Sequence, residues 1–227
     1  MRDESWWGTK SDDNRDVKVV ADQKSEELIV AILTGESPFS VLGEETGWQG
    51  VTQSGDLNWI VDPLDGSANY ARKIPLCCVS IALVENGKPI LGVVYDFNSD
   101  DLYSGIVGQG AWLNGEPMTV SSIRERNKAI LVTGLPVRRD FSAQAMTAFA
   151  QDMADWQKVR MIGTAALALA YVASGRADCY REENIMFWDV AAGCALVEAA
   201  GGKVSISPGD LLEPKMVTAA AASLTGI

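Results

Sequence analysis

Apolar and polar positions alternate with two different periods along this chain, and the change of period divides it. After a polar start, "DVKVV" (16–20) reads as a short strand. "ADQKSEELIVAIL" (21–33) sets Leu28, Ile29, Ile32 and Leu33 at helical spacing, which predicts a helix with that face inward, ended by Gly35 and Pro38. "FSVLGEE" (39–45) reads as a buried strand running into Glu44 and Glu45, and "LNWIV" (57–61) as another that ends at Asp62. From Cys77 to about Val120 the pattern is that of a β-meander: "CCVSIALVE" and "PILGVVYDF" flank the turn "NGK" (86–88), and "DLYSGIVGQGAWLNG" (101–115) adds short strands with glycine turns. Beyond it, strands and helices alternate. "AILVTG", "KVRMIG", "ADCYRE" and a final "KVSIS" read as strands; "SAQAMTAFAQDMADW", "TAALALAYVASG" and "DVAAGCALVEAA" read as the helices between them. Meander first and alternation second predicts an α+β chain of two sheet layers with helices between and outside them. The change falls in "SSIRERNK" (121–128), giving halves at 1–124 and 125–227.

Composition adds exclusions. The net charge of −11 argues against nucleic acid or an anionic membrane as partner, and calls for a bound cation if the substrate is an anion. The longest apolar run, "TAALALAYVA", is well short of the roughly 20 residues a membrane span needs. The polar N-terminus lacks the apolar middle of a signal peptide. Cys77, Cys78, Cys179 and Cys194 form no CxxC and read as reduced, buried thiols, so a cytoplasmic protein is expected. There is no histidine. That removes Ser-His-Asp and Cys-His catalysis and His-ligated zinc, and leaves acid–base work to carboxylates, hydroxyls, lysines or metal-bound water.

The acids that remain sit where strands stop: Glu44 and Glu45, Asp62, and Asp189 at the start of a helix. Taken singly, Asp65 or Asp189 reads as a helix N-cap and Glu44-Glu45 as a solvated loop. Taken together they can converge on one edge of a layered fold. Converging carboxylates repel and need a cation, and oxygen donors without histidine or cysteine suit a hard divalent ion, Mg2+ first and Mn2+ second. Asp65-Gly66-Ser67-Ala68 reads as the first turn of a short helix, whose free N–H groups favour a phosphate. Acids and phosphate cradle side by side suggest a metal-assisted phosphatase, in which Asp62 and Asp65 reach the metals. A phosphate-binding GxxxxGK[ST] loop, a cysteine-phosphatase loop and an Asp-x-Asp-x-[TV] motif are all missing.

"GEE" (43–45), "WIVDPLDGSANY" (59–70), "IPLCCVSIAL" (74–83), "GTAALALAYVASGRADCY" (163–180) and "WDVAAGCALVEAAGG" (188–202) resemble the inositol monophosphatase family, which includes fructose-1,6-bisphosphatases and 3′-phosphoadenosine-5′-phosphate phosphatases. The resemblance runs from about residue 16 through nearly the whole chain. It implies an αβαβα layered sandwich (the sugar phosphatase fold) acting as one catalytic unit, usually a homodimer, with two or three Mg2+ per site and sensitivity to lithium. By motif position it implies Glu44, Asp62 and the Leu64 carbonyl as ligands of a first metal, and Asp62, Asp65 and Asp189 as ligands of a second. Ser67, where the family usually has threonine, would orient and deprotonate the attacking water together with Asp22. The Gly66 and Ser67 amides would hold the phosphate, and Ala165 and Glu182 would contact the alcohol. Only about fifteen residues precede "DVKVV" where the family has a long helix, Lys10 standing loosely for a lysine of that region, and "VTAAAASLTGI" ends the chain without the usual last helix. The expected activity is hydrolysis of inositol monophosphate or a similar small polyol or sugar phosphate by metal-activated water. The alternatives are a fructose-1,6-bisphosphatase, a 3′-phosphoadenosine-5′-phosphate phosphatase, or a non-catalytic regulator that binds metal or sugar phosphate.

Overall fold

A computed structural model describes residues 9–13, 16–50, 57–135 and 140–227. A hairpin of β1 (Thr9–Asp13) and β2 (Asp16–Val19) leads into helix α1 (Val20–Glu36). Then follow β3 (Ser40–Gly43), β4 (Gly47–Gln49), β5 (Leu57–Asp65), the short helix α2 (Ser67–Ala71), and the meander β6 (Cys78–Glu85), β7 (Lys88–Asp96), β8 (Asp101–Ile106), β9 (Gly110–Leu113) and β10 (Glu116–Met118). These eight strands, β3 to β10, form one sheet in the order β10-β9-β8-β7-β6-β5-β3-β4, antiparallel except for the parallel pair β3 and β5.

The chain enters the second sheet at β11 (Ile130–Val132) and continues through α3 (Ala143–Met153), β12 (Lys158–Arg160), α4 (Ala165–Ala173), β13 (Cys179–Ile185), α5 (Phe187–Ala199), β14 (Lys203–Ile206) and β15 (Lys215–Ala220). The order is β12-β11-β13-β15-β14. "KVSIS" is therefore not the last strand. β15 follows it and inserts between β13 and β14. Its sequence hides this: Lys215, Val217, Ala219 and Ala220 are the buried positions, so a lysine occupies the first inward place and small residues the others.

Helices α4 and α5 pack on each other and contact strands of both sheets, which makes them the middle layer. Their sequences explain it. "AALALAYVA" and "FWDVAAGCALVEA" are apolar on nearly every face, as a helix covered on all sides must be. They approach closely because Gly193 faces Leu169; a Cβ there would stand 2.3 Å from the leucine Cβ. One apolar core, with Leu42, Ile60, Leu167, Leu169, Phe187, Leu196 and Val217, joins both sheets through this layer.

Helix α1 departs from the expected pattern. Leu28 and Ile32 are 63% and 55% exposed, and the buried residues are Ala21, Asp22 and Glu26. The helix packs on β3 and β5 through its first two turns, where polar side chains reach the strand-end turns. The Trp59 indole N–H, donating to Ser37 Oγ (2.8 Å), ties its far end to β5.

Candidate active site

Three local devices gather the acids. The first is the parallel pair β3 and β5, in register Gly43 opposite Val61. Pairing continues one step further, Glu44 N–H donating to the Val61 carbonyl (3.1 Å), so Glu44 comes to lie beside Asp62.

The second is an irregularity in β5. On a regular strand two residues three apart face opposite sides. Here Asp62 pairs with Ser80 and Asp65 with Cys78, so two residues of β5, Pro63 and Leu64, oppose the single Val79. Ser80 and Cys78 are two apart and share a face, and the bulge therefore puts Asp62 and Asp65 on that same face. Proline suits the place, having no N–H for a ladder that is already broken.

The third is the start of α5. Asp189 is the third residue of the helix, and its Oδ2 accepts the Met186 N–H (3.2 Å). It thus caps its own helix and still reaches the other acids. Oxygens of Glu44, Asp62 and Asp189 all lie within 4.8 Å of one another.

Asp65 is placed differently. It is not the N-cap of α2; Gly66 is, with φ of 92°, a left-handed conformation that suits glycine. Asp65 Oδ2 accepts instead from Thr164 Oγ1 and Ala166 N–H (both 2.6 Å) across the interior, at the N-terminus of α4. Thr164 caps that helix, which begins at Ala165. Glu45 lies outside the trio; its N–H and the Thr46 N–H turn to Glu26.

Ser67 Oγ lies 3.1 Å from Asp22 Oδ1 and 3.0 Å from the Leu64 carbonyl. One hydroxyl proton serves one of these acceptors at a time. Glu182, expected at a strand end, is inside β13 and 7% exposed. Its Oε2 accepts from the Tyr180 hydroxyl (2.9 Å), and its carboxylate lies against Gly134. The side chain of Lys10 lies outside the described residues.

Electrostatics give the cluster its character. Burial, then the charges of Glu44, Asp65 and Asp189, raises the pKa of Asp62 well above the usual carboxylate range. Burial, then Glu44 and Asp65, does the same to Asp189, with Glu182 adding to it. Burial raises Asp65 to about 6, against the lowering effect of the Thr164 and Ala166 hydrogen bonds. After burial, the charges acting most strongly on Asp62 and Asp189 are those of the other acids of the cluster. Close-set, partly buried oxygen donors that disfavour their own ionisation fit a hard divalent cation, which would restore the charged forms.

Sequence reasoning passed over three residues that hold this geometry. Glu26 lies four residues after Asp22 on one face of α1. Thr164 stands before an apolar run, an N-cap signature. Asn69 Nδ2 donates to the Leu76 and Ile162 carbonyls (2.7 and 2.8 Å), fastening α2 to the loop before α4.

A layered sandwich with an acid cluster able to hold metal between its two halves defines the class. A model of the inositol monophosphatase family matches residues 4–225. A protein named Nus factor SuhB from Xylella fastidiosa is 43% identical over 185 residues, 81% of this chain and 66% of its own length. An inositol-1-monophosphatase from Mesorhizobium japonicum is 38% identical over 205 residues, 88% of this chain and 76% of its own. Of solved structures, inositol monophosphatase from Anabaena superposes with a TM-score of 0.82 at 41% identity, over 89% of this chain and 82% of that one. The extragenic suppressor protein suhB of Bartonella henselae gives 0.84 at 33%, over 95% and 84%. The chain belongs to the inositol monophosphatase family. It spans about two thirds of the length of the SuhB relatives it matches.

Proposed function

We propose that this protein is a divalent-metal-dependent phosphomonoesterase, using Mg2+ with Mn2+ as substitute, that hydrolyses inositol monophosphate or a similar small polyol or sugar phosphate. The observation that carries the reading is the gathering of Glu44, Asp62 and Asp189 oxygens within 4.8 Å of one another, with the bulge in β5 turning Asp65 to the same face as Asp62. Glu44, Asp62, Asp65, Asp189 and the Leu64 carbonyl would hold two or three ions. Such ions supply a Lewis acid for the phosphate oxygens and lower the pKa of a water.

The chain's own groups do the rest. With the Leu64 carbonyl engaged elsewhere, the Ser67 hydroxyl would donate to Asp22, and its oxygen would orient a water. Asp22 is buried and accepts the proton that Ser67 relays. Ser67 N–H, in the first turn of α2, has no intrahelical acceptor and is available to a phosphate oxygen, with the Gly66 N–H beside it. Ala165, at the head of α4, and Glu182 would border the alcohol. Both halves of the chain form one catalytic unit in this reading, because Asp189 comes from the second and the other acids from the first.

The reading includes a homodimer and a reducing, cytoplasmic setting, which four buried free thiols suit. Among the described residues no helix is long and apolar enough to cross a membrane. A second reading, prompted by the name Nus factor SuhB on several relatives, is a non-catalytic regulator that binds metal or sugar phosphate. An acid set with every position filled favours catalysis. Purified protein assayed for inorganic phosphate release on a panel of esters decides. Activity that disappears with a chelator and returns with Mg2+ is expected; full activity in metal-free buffer, or none with any ester and metal, would overturn the proposal.

A further inference from the structure

Glu26 is a carboxylate with no exposed surface, and the proposed reaction gives it no part. An acceptor-only group removed from water must have its lone pairs filled. Glu26 Oε2 accepts the Glu45 N–H (2.9 Å), and Oε1 accepts the Thr46 N–H (2.8 Å) and the Thr46 hydroxyl (2.5 Å). All three donors belong to the two residues that follow Glu44. The residue before it is shaped to the same carboxylate: a Cβ on Gly43 would stand 2.4 Å from Glu26 Cδ. Glu44 is thus held between its own N–H, bonded to Val61, and a turn whose next two amides are gripped by Glu26.

We propose that Glu26 is a positioning residue that fixes Glu44 within the acid cluster, acting through the 43–46 turn. The inference rests on the metal-binding reading of that cluster. Asp22, one turn earlier on the same helix, holds Ser67, and Ser25 Oγ donates to the Pro63 carbonyl (3.2 Å) in the bulge. The polar face of α1 therefore fastens both ligand-bearing segments, the turn after β3 and the bulge of β5, to one rigid element. This explains why the helix turns Glu26 inward and leaves Leu28 and Ile32 outside.

The test is Mn2+ binding by the metal-stripped protein, followed by electron paramagnetic resonance, with thermal unfolding of the apo form beside it. Glu26→Gln sets an amide NH2 against an N–H donor, and Mn2+ affinity falls about tenfold or more, the scale for a partner that orients a ligand. Gly43→Ala changes neither carboxylate and only displaces the end of Glu26; it weakens Mn2+ in the same direction, and it serves if Glu26→Gln does not fold. In a Glu44→Gln background, Glu26→Gln adds no further loss, because the residue acts through Glu44. Unchanged Mn2+ affinity in both variants with lowered apo stability makes Glu26 structural only and overturns the proposal, as does full additivity with Glu44→Gln. A parent protein that binds no Mn2+ overturns the metal reading itself and this inference with it.

Discussion

Helices α1 and α5 each deliver a carboxylate to the same site, and they are built on opposite plans. α5 buries Phe187, Val190, Leu196 and Val197 in the middle layer and carries Asp189 on its first turn, where the core ends. α1 buries two acids and an alanine and leaves large apolar residues in solvent. The position of α5 is set by apolar packing that would persist without any site. The position of α1 is set by hydrogen bonds to the segments that make the site. Damage to α5 should therefore register as lost stability, and damage to the inner face of α1 as lost function.

The largest effect lies where the two plans meet, at Asp62, between Glu44 and Asp189. Asp62→Asn should lower turnover on the order of 10³-fold or more, the scale of a main electrostatic contribution. The apo protein should hold or gain stability, since one of several mutually repelling charges is gone. Near-normal turnover with metal still bound would move the site elsewhere.

The comparison itself is broken or kept by a pair of variants. Leu196 is fully buried on α5, and Leu196→Ala should cost about 2–5 kcal/mol of stability while the folded fraction keeps its metal affinity. Ser67→Ala cuts the link to Asp22 on α1. Its turnover should fall about a hundredfold or more for every substrate with little change in KM. Its stability should change by less than about 1 kcal/mol. Equal losses of stability in both would erase the distinction.

That distinction also marks what the sequence could tell. The meander and the middle helices were legible because burial leaves a direct signature in apolar spacing, and Glu44, Asp62 and Asp189 could be grouped because each stands where an apolar run stops or a helix begins, although β5 in fact runs on past Asp62 to Asp65. The orientation of α1 was not legible: Leu28, Ile29, Ile32 and Leu33 carry the stronger periodic signal, and nothing in hydrophobicity announces that Asp22 and Glu26 have donors waiting for them. The bulge at Pro63-Leu64 was hidden for a similar reason. A spacing of three between aspartates says nothing of facing until the register with Ser80 and Cys78 is known. β15 was missed because Lys215 holds an inward place.

The acid cluster also makes apo stability depend on pH in an unusual sense. Asp65 has its pKa raised to about 6 in the folded chain, and Asp62 and Asp189 are raised as well. Between the ordinary aspartate value and the raised one, the folded state holds protons that the unfolded state has released. Stability from these groups is full below about pH 4 and is lost as pH rises through about 6 and beyond, with Asp65 alone accounting for about 3 kcal/mol. Chelated protein should therefore lose thermal stability as pH rises from about 4 through about 6 and beyond, and Mg2+ should abolish the loss by favouring the ionised forms. Apo protein equally stable across that range, or gaining stability, would show that burial and mutual repulsion do not disfavour ionisation of these acids.

The smallest expected effect concerns the alcohol side of the site, where Glu182 stands inside β13 against Gly134 and is braced by Tyr180. Glu182→Gln keeps size and can still accept from the Tyr180 hydroxyl, so the brace survives while the charge is lost. If Glu182 accepts hydrogen bonds from substrate hydroxyls, KM for inositol phosphate should rise by an amount worth about 1–3 kcal/mol. p-Nitrophenyl phosphate, which has no alcohol hydroxyls, should be hydrolysed with unchanged KM. A competing route exists, because the charge of Glu182 also raises the pKa of Asp189. Acting by that route, the substitution would ease ionisation of Asp189 and shift the metal dependence for both substrates alike. Kinetics on the two esters at several Mg2+ concentrations separates the cases. A KM change confined to inositol phosphate and independent of Mg2+ assigns Glu182 to the alcohol. A change common to both substrates that vanishes at saturating Mg2+ assigns it to the metal centre and removes it from substrate selection.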